Sequence, residues 1–274
     1  MTPYGTFDQG GFRHTPVDGA APPLVATGGS FTLGDDVTDG ETWPAVLERV
    51  TGRDVVNAGV SSYGLDQVVL RSEQLARALR PAAVIVAFTA DNIWRNEMSR
   101  LWGAEKPYFS LRDDGKLELH NVPVPAPPYS ATLLQRLFGW SALIETVARR
   151  LGRRDSSTEW QGEWLNGNIR ARPAGDGEHV ACALMERLAS LDMPVLVVAQ
   201  YERWAWEPDA ILAAEQRRLS LLMLRCAADA GLDTLDTFGV LDAVVRHDGL
   251  SKLYGPTITT GAATPSWRVW SAKP

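Results

Sequence analysis

The residues with the clearest capacity for chemistry lie in one glycine-bounded heptapeptide, Gly28-Gly29-Ser30-Phe31-Thr32-Leu33-Gly34, directly after the apolar run PLVAT at residues 23–27. Two glycines permit a tight backbone path, so Ser30 stands at the tip of a predicted strand, with N–H groups opening the next segment. That arrangement suits a nucleophile or an anion site. It does not suit a phosphate loop, because it has neither G-x-G-x-x-G nor a lysine after the last glycine. Taken alone, the heptapeptide also fits a plain glycine turn. A serine hydroxyl becomes a competent nucleophile when a base within hydrogen-bond reach takes its proton. The chain has four histidines, His14, His120, His179 and His247. His120 falls in a predicted hairpin and His179 at a helix start, both polar settings that solvate a histidine. His247 beside Asp248 is the candidate substitute base, although adjacent residues are expected to point in different directions.

Elements must bring such residues to one place. Apolar runs of strand length alternate with amphipathic stretches, which predicts α/β architecture with a mainly parallel sheet. After residues 23–27 comes a helix over 42–50, with Trp43, Val46, Leu47 and Val50 at helical spacing. A strand at 54–60, a helix over about 65–79 and a strand at 82–89 follow. The stretch from Ile93 to Pro128 alternates around Asp113-Asp114-Gly115, a hairpin signal, and then turns proline-rich; it reads as an insertion over one end of the sheet. Helices are predicted over about 131–150 and 180–191, with a polar loop at 152–177 between them. A buried strand within 193–201, a helix over 210–230 and a short strand near 232–238 complete the pattern. In such sheets ligands sit at the carboxyl ends of the strands. This directs attention to Ser30 and to Trp204 and Trp206, with Asn57 read as a turn-maker. The two tryptophans fit either a wall of an acyl or sugar pocket or ordinary packing.

Composition narrows the partners. The 274 residues are 45% hydrophobic and 22% charged, which is globular usage. With 27 Lys+Arg against 33 Asp+Glu the net charge is −6, so no basic footprint for nucleic acid is present. No apolar run reaches the roughly 18 residues of a spanning helix. The first 22 residues contain no signal-peptide hydrophobic region, so the expected location is the cytoplasm. Cys182 and Cys226 both fall in predicted helices and are expected as buried free thiols. No metal site or organic cofactor is indicated, and the oligomeric state is not encoded in any visible pattern.

The blocks LVATGGSFTLGDDV, ETWPAVLERVTGRDVVNAGVSSYGLDQ and VIVAFTADNIWRN, within residues 23–96, resemble the first three blocks of the SGNH (GDSL-type) hydrolase family. The resemblance implies a three-layer α/β/α sandwich with a flavodoxin-like parallel sheet of about five strands. It assigns Ser30 as nucleophile toward a small-molecule ester, through an acyl-enzyme, and builds an oxyanion hole from Ser30, Gly59 and Asn92. Oxyanion donors matter physically, since losing one costs about 3 kcal/mol of barrier. Two departures stand out: Gly28-Gly29-Ser30 replaces Gly-Asp-Ser, and Asp91-Asn92 inverts the usual Asn-Asp. An ionised Asp91 would repel an oxyanion, which favours Asn92 as the inward residue.

The family's base, usually in D-x-x-H before the last helix, has no counterpart in the chain as written. A silent binding protein and an O-acyltransferase therefore stand beside the hydrolase reading. The resemblance divides the chain into an extension at 1–22, the domain at 23–254 with its insertion at about 93–130, and an atypical tail at 255–274. It also implies that more chain usually precedes GFRHTPV at residues 11–17. The tail lacks a helical stripe. Its alternative frame, joining the third base of each codon to the first two of the next, can spell approximately G-P-H-H-N followed by an apolar segment, a reading that the coding DNA checks directly.

Overall fold

Three short apolar strands establish the first half of the sheet. In the computed structural model, which describes residues 5–13, 21–101, 104–124, 176–207 and 210–254, β1 (Leu24–Thr27) pairs in parallel with β2 (Val55–Asn57) on one side and β3 (Ala83–Phe88) on the other. Between them run α1 (Ser30–Leu33), α2 (Trp43–Thr51) and α3 (Leu65–Leu79). After β3 the short α4 (Ala90–Trp94) leads into the insertion. There β4 (Arg100–Leu101) pairs with β5 (Ala104–Glu105), and β6 (Tyr108–Leu111) with β7 (Leu117–His120), both antiparallel. Then come α5 (Gly177–Ala189), β8 (Val195–Ala199), α6 (Ala210–Asp229), β9 (Asp233–Asp236), α7 (Phe238–Asp248) and α8 (Leu250–Leu253). The strand order is β2-β1-β3-β8-β9, all parallel. This is the flavodoxin-like order that the family resemblance implies, with helices on both faces. The helix expected at 131–150, most of the loop expected at 152–177, His14 and the tail at 255–274 lie outside the described residues.

The period of two along each strand sorts side chains between two layers. Val84, Val86, Phe88, Val195, Val197 and Ala199 face α3, α5 and α6 and form the main core with Leu65, Leu184 and Met223. Ile85, Leu196, Val198 and Leu235 face the other way, toward Trp43 and Leu47 of α2, and line an apolar cavity of about 480 Å3 bounded by α7, Leu253 and Tyr254. Leu235 remains 48% exposed, so this face is covered less completely than the first.

Local signals behave as their chemistry requires. Thr42 caps α2 by accepting a hydrogen bond from Ala45 N at 3.3 Å, and Gly52 ends it with φ +66°. The turn at Asp113-Asp114-Gly115 closes the β6–β7 hairpin, with Gly115 at φ +77°. The insertion is locked down by a buried ion pair from Lys106 Nζ to Asp66 Oδ2, at the start of α3. Burial pushes the Asp66 carboxyl up and the Lys106 amine down, each opposed by the other's charge.

The N-terminal segment is integrated as well. Phe12 packs against Val25, Val56, Ala58 and Leu75, beneath the Arg71 guanidinium at 5.3 Å, and Arg13 N donates to Asn57 O at 3.2 Å on edge strand β2. Asp39 binds this segment to the loop after α1, accepting from Thr6 N and Oγ1 and from Arg13 Nε. Burial would raise its pKa, but these hydrogen bonds and the charge of Arg13 outweigh burial and hold it below the usual value.

One sequence expectation is corrected. Cys182 of α5 and Cys226 of α6 are joined in a disulfide, with Cα atoms 5.1 Å apart. The helices lie side by side on one face of the sheet, an adjacency that a spacing of 44 residues does not announce. Among the described residues no helix is long and apolar enough to cross a membrane.

Two outcomes follow. A loop of 44 residues closed by a disulfide is worth about 4 kcal/mol in the chain-entropy account, so reduction, or the pair Cys182→Ala and Cys226→Ala, lowers the melting temperature; an identical melt in both redox states would contradict this. Asp39, with its folded pKa depressed, contributes stability above its unfolded pKa of about 3.9 and loses it as pH falls through the folded value. Thermal melts between neutral and acid pH should therefore fall more steeply for the parent than for Asp39→Asn.

Candidate active site

Ser30 is the first residue of a four-residue helix, and the surrounding backbone leaves that helix little room. A Cβ at Gly28 would collide with Thr32 Oγ1 and sit 2.7 Å from Ala87 O. One at Gly59 would collide with Leu33 N and lie 2.8 Å from the carbonyl carbon of Thr32. Both contacts include main-chain atoms, so glycine at these two positions is what lets β1, β3 and the loop after β2 close around α1. Leu33 N and Thr32 N both donate to Gly29 O, and Gly34 N donates to Ser30 O at 2.7 Å. Ser30 is half-buried at the carboxyl end of β1.

Asp91 and Asn92 have different partners. Asp91 is paired with Arg95 at 3.4 Å, one turn further along the chain. Asn92 is 2% exposed; its Oδ1 accepts from Thr89 N at 2.7 Å, and its Nδ2 donates to Tyr63 O at 2.7 Å. An amide nitrogen carries two protons, so one remains beyond the Tyr63 bond. That nitrogen would lie 3.0 Å from a Cβ on Gly29, the neighbour of Ser30. Gly59 is differently placed in hydrogen-bonding terms: its N–H donates to Asn57 Oδ1 at 3.1 Å. Asn57 is fully buried and acts as a turn-maker, its Nδ2 reaching Leu33 O at 3.4 Å.

The remaining sequence candidates are elsewhere. His247 is hydrogen-bonded to its neighbour Asp248, not to Ser30. It lies nine residues into α7, about 14 Å along the helix from its start near the sheet edge, with its side chain 87% exposed. Its Nδ1 is 2.7 Å from Asp248 Oδ1, so the two neighbours fold back onto one another instead of diverging. His120 Nε2 is 2.7 Å from Ser110 Oγ, stacked on Tyr108 within the hairpin, and His179 is exposed in the first turn of α5. Among the described residues no side chain hydrogen-bonds the Ser30 hydroxyl.

Trp204 and Trp206 follow β8 in a short 3-10 turn, but neither lines the apolar cavity. Trp206 is committed to packing: it stacks on Phe238 at 5.5 Å, and its Nε1 donates to Asp242 Oδ1 at 3.1 Å. Tyr201 and Tyr254 supply the aromatic wall instead. Burial first, then the hydrogen bond and charge of Asp236, push the Tyr201 phenol up to about 12. It remains a neutral donor to Asp236 at 2.9 Å and supplies no base at neutral pH. Among the described residues no cluster could hold a metal ion.

No family model matches the chain, and no curated protein does. Similar solved structures include LAE5, an α/β hydrolase enzyme from the metagenome of Lake Arreo, Spain, at 16% identity and TM-score 0.45, covering 85% of this chain and 83% of that one. Axe2, an acetylxylan esterase from Geobacillus stearothermophilus, shares 12% identity at TM-score 0.44, covering 86% and 84%. A protein assigned to the G-D-S-L lipolytic family from Desulfitobacterium hafniense shares 16% at TM-score 0.41, covering 80% and 79%. These likenesses are loose. The three-layer α/β/α sandwich stands on the strand order and helix placement of this chain itself.

Gly59→Ala tests the close approach. With three main-chain atoms of α1 in the way, the substitution should cost about 1–3 kcal/mol of stability, the range for overpacking, measured by urea denaturation. An unchanged midpoint would show that α1 is not held against Gly59.

Proposed function

We propose that the chain is a serine ester hydrolase of SGNH type. Ser30 Oγ attacks the carbonyl carbon of a small carboxylic ester, and the alcohol departs with a proton. Water then cleaves the acyl-enzyme, regenerating the hydroxyl and releasing the acid. Negative charge developing on the carbonyl oxygen is met by the Ser30 N–H and by the remaining Asn92 Nδ2 proton, with the Gly59 N–H joining if it exchanges Asn57 Oδ1 for substrate. The observation supporting this reading is the buried Asn92 amide beside Gly29, with the charge of Asp91 paired to Arg95. The chemistry draws on no metal or cofactor.

A second reading, a catalytically silent binding protein with the same cleft, is favoured by one observation: no histidine of the described residues reaches Ser30. Without a base a serine loses several orders of magnitude in rate. Transfer of the acyl group to an alcohol in place of water is distinguished by product analysis with competing acceptors. The Cys182–Cys226 disulfide favours an oxidising compartment over the cytoplasm expected from the sequence.

A fluorophosphonate probe followed by peptide mapping is the test. Labelling at Ser30, with turnover of p-nitrophenyl esters of graded chain length, is expected of the hydrolase. Labelling at another serine in an active preparation would overturn the assignment, and no labelling with no turnover would establish the silent reading.

A further inference from the structure

We propose that Arg13 is a positioning residue for the nucleophile helix, making the N-terminal segment part of the foundation of the active site; this rests on the assignment of Ser30 above. A helix of four residues has almost no stability of its own, so its neighbours fix where α1 lies. Gly59 limits it along one side, and Arg13 holds its carboxyl end. The Arg13 side chain is buried, with the residue 1% exposed. Its Nη1 donates to Leu33 O at 2.9 Å and also to Gly34 O, its Nη2 donates to Val37 O, and its Nε meets Asp39 Oδ1 at 2.8 Å. One planar guanidinium thus gathers three carbonyls at and beyond the last residue of α1, one of which, Gly34 O, also accepts from Val37 N at 3.2 Å, together with the carboxylate that balances its charge.

The geometry requires arginine. Five N–H donors in a fixed fork reach four acceptors in different directions, whereas a lysine offers three donors from a single point. Arg13 is itself held from outside. Its N–H donates to Asn57 O on β2, Phe12 is seated in the small core cluster, and Thr6 shares Asp39 with it. Leu33 O is the junction, accepting from Arg13 Nη1 and from Asn57 Nδ2. Since Leu33 lies one turn beyond Ser30, about 5 Å along the axis, a loss at this junction reaches the hydroxyl as a shift or rotation of α1, without Arg13 touching substrate.

The experiment follows the rate of fluorophosphonate labelling of Ser30 in the full chain, together with amide hydrogen exchange of residues 30–34. Arg13→Ala is expected to slow labelling about 100-fold, the loss for a reacting group displaced by about 1 Å. Exchange should rise in 30–34 while α3 and α5 stay protected. Guanidinium at millimolar concentration, far below denaturing levels, should restore much of the rate, which a general loss of stability would not allow. Labelling of the folded variant within about twofold of the parent, or no restoration by guanidinium, would overturn the proposal. If Arg13→Ala does not fold, Arg13→Lys is decisive, because it keeps the charge and loses the fork: slow labelling supports the proposal and parental labelling overturns it. If the parent itself does not label, the reading of Ser30 fails on its own. Exchange in Arg13→Lys then decides the positioning role, and unchanged protection at 30–34 rejects it.

Discussion

Main-chain contact between α1 and its surroundings is the constraint on which the candidate site depends. Four residues cannot hold a helix in place through their own hydrogen bonds, and here the neighbouring backbones do so by leaving no room for a side chain at Gly28 or Gly59. Once α1 is seated, its N-terminus faces the carboxyl end of the sheet and Asn92 falls beside Gly29. Asn92 is held by Thr89 and Tyr63, and Asp91 is held by Arg95. Steric exclusion therefore fixes the frame, and hydrogen bonds then choose which side chain points into it.

The strands were legible because each is an apolar run bounded by glycine, proline or polar residues, and in a parallel sheet buried on both faces that pattern has few alternatives. The Asp113-Asp114-Gly115 hairpin was legible for an equally local reason. The site was only partly so. Ser30 is marked by its glycines and Asn92 by the repulsion an inward Asp91 would create, and both arguments use neighbours in sequence. The Asn57 hold on the Gly59 N–H, the Arg13 fork and the Cys182–Cys226 bond depend on residues brought together across 2, 20 and 44 positions. For the last two, periodicity carries no information. Arg13 in particular reads as an ordinary polar residue of an extension, since nothing in GFRHTPV announces that a guanidinium is to be buried. Trp206 leaves two readings open in the sequence, a pocket wall or ordinary packing, and its contacts with Phe238 and Asp242 are those of packing.

The two faces of the sheet are held in different ways. On one, α3, α5 and α6 interlock through a continuous core, reinforced by the disulfide and by the pairing of Arg187 with Glu73. On the other, α2 covers the β1 side while the cavity extends over β3, β8 and β9. An arrangement of this kind concentrates resistance to opening on one layer. The loop after β2, with α1 beside it, belongs to the seam between the two.

Edge strand β9 carries a consequence for behaviour in concentrated solution. Its sequence is Asp233-Thr234-Leu235-Asp236, and among the described residues one side of its hydrogen-bonding ladder has no partner strand. An uncovered ladder beside a half-exposed leucine is a template for a second chain. The brevity of the strand and the charge of Asp233 work against such pairing, while Asp236 is committed to Arg217 and Tyr201. β9 thus acts as a gatekeeper against sheet extension, because an edge of four residues offers a second chain few ladder bonds and a carboxylate to bury.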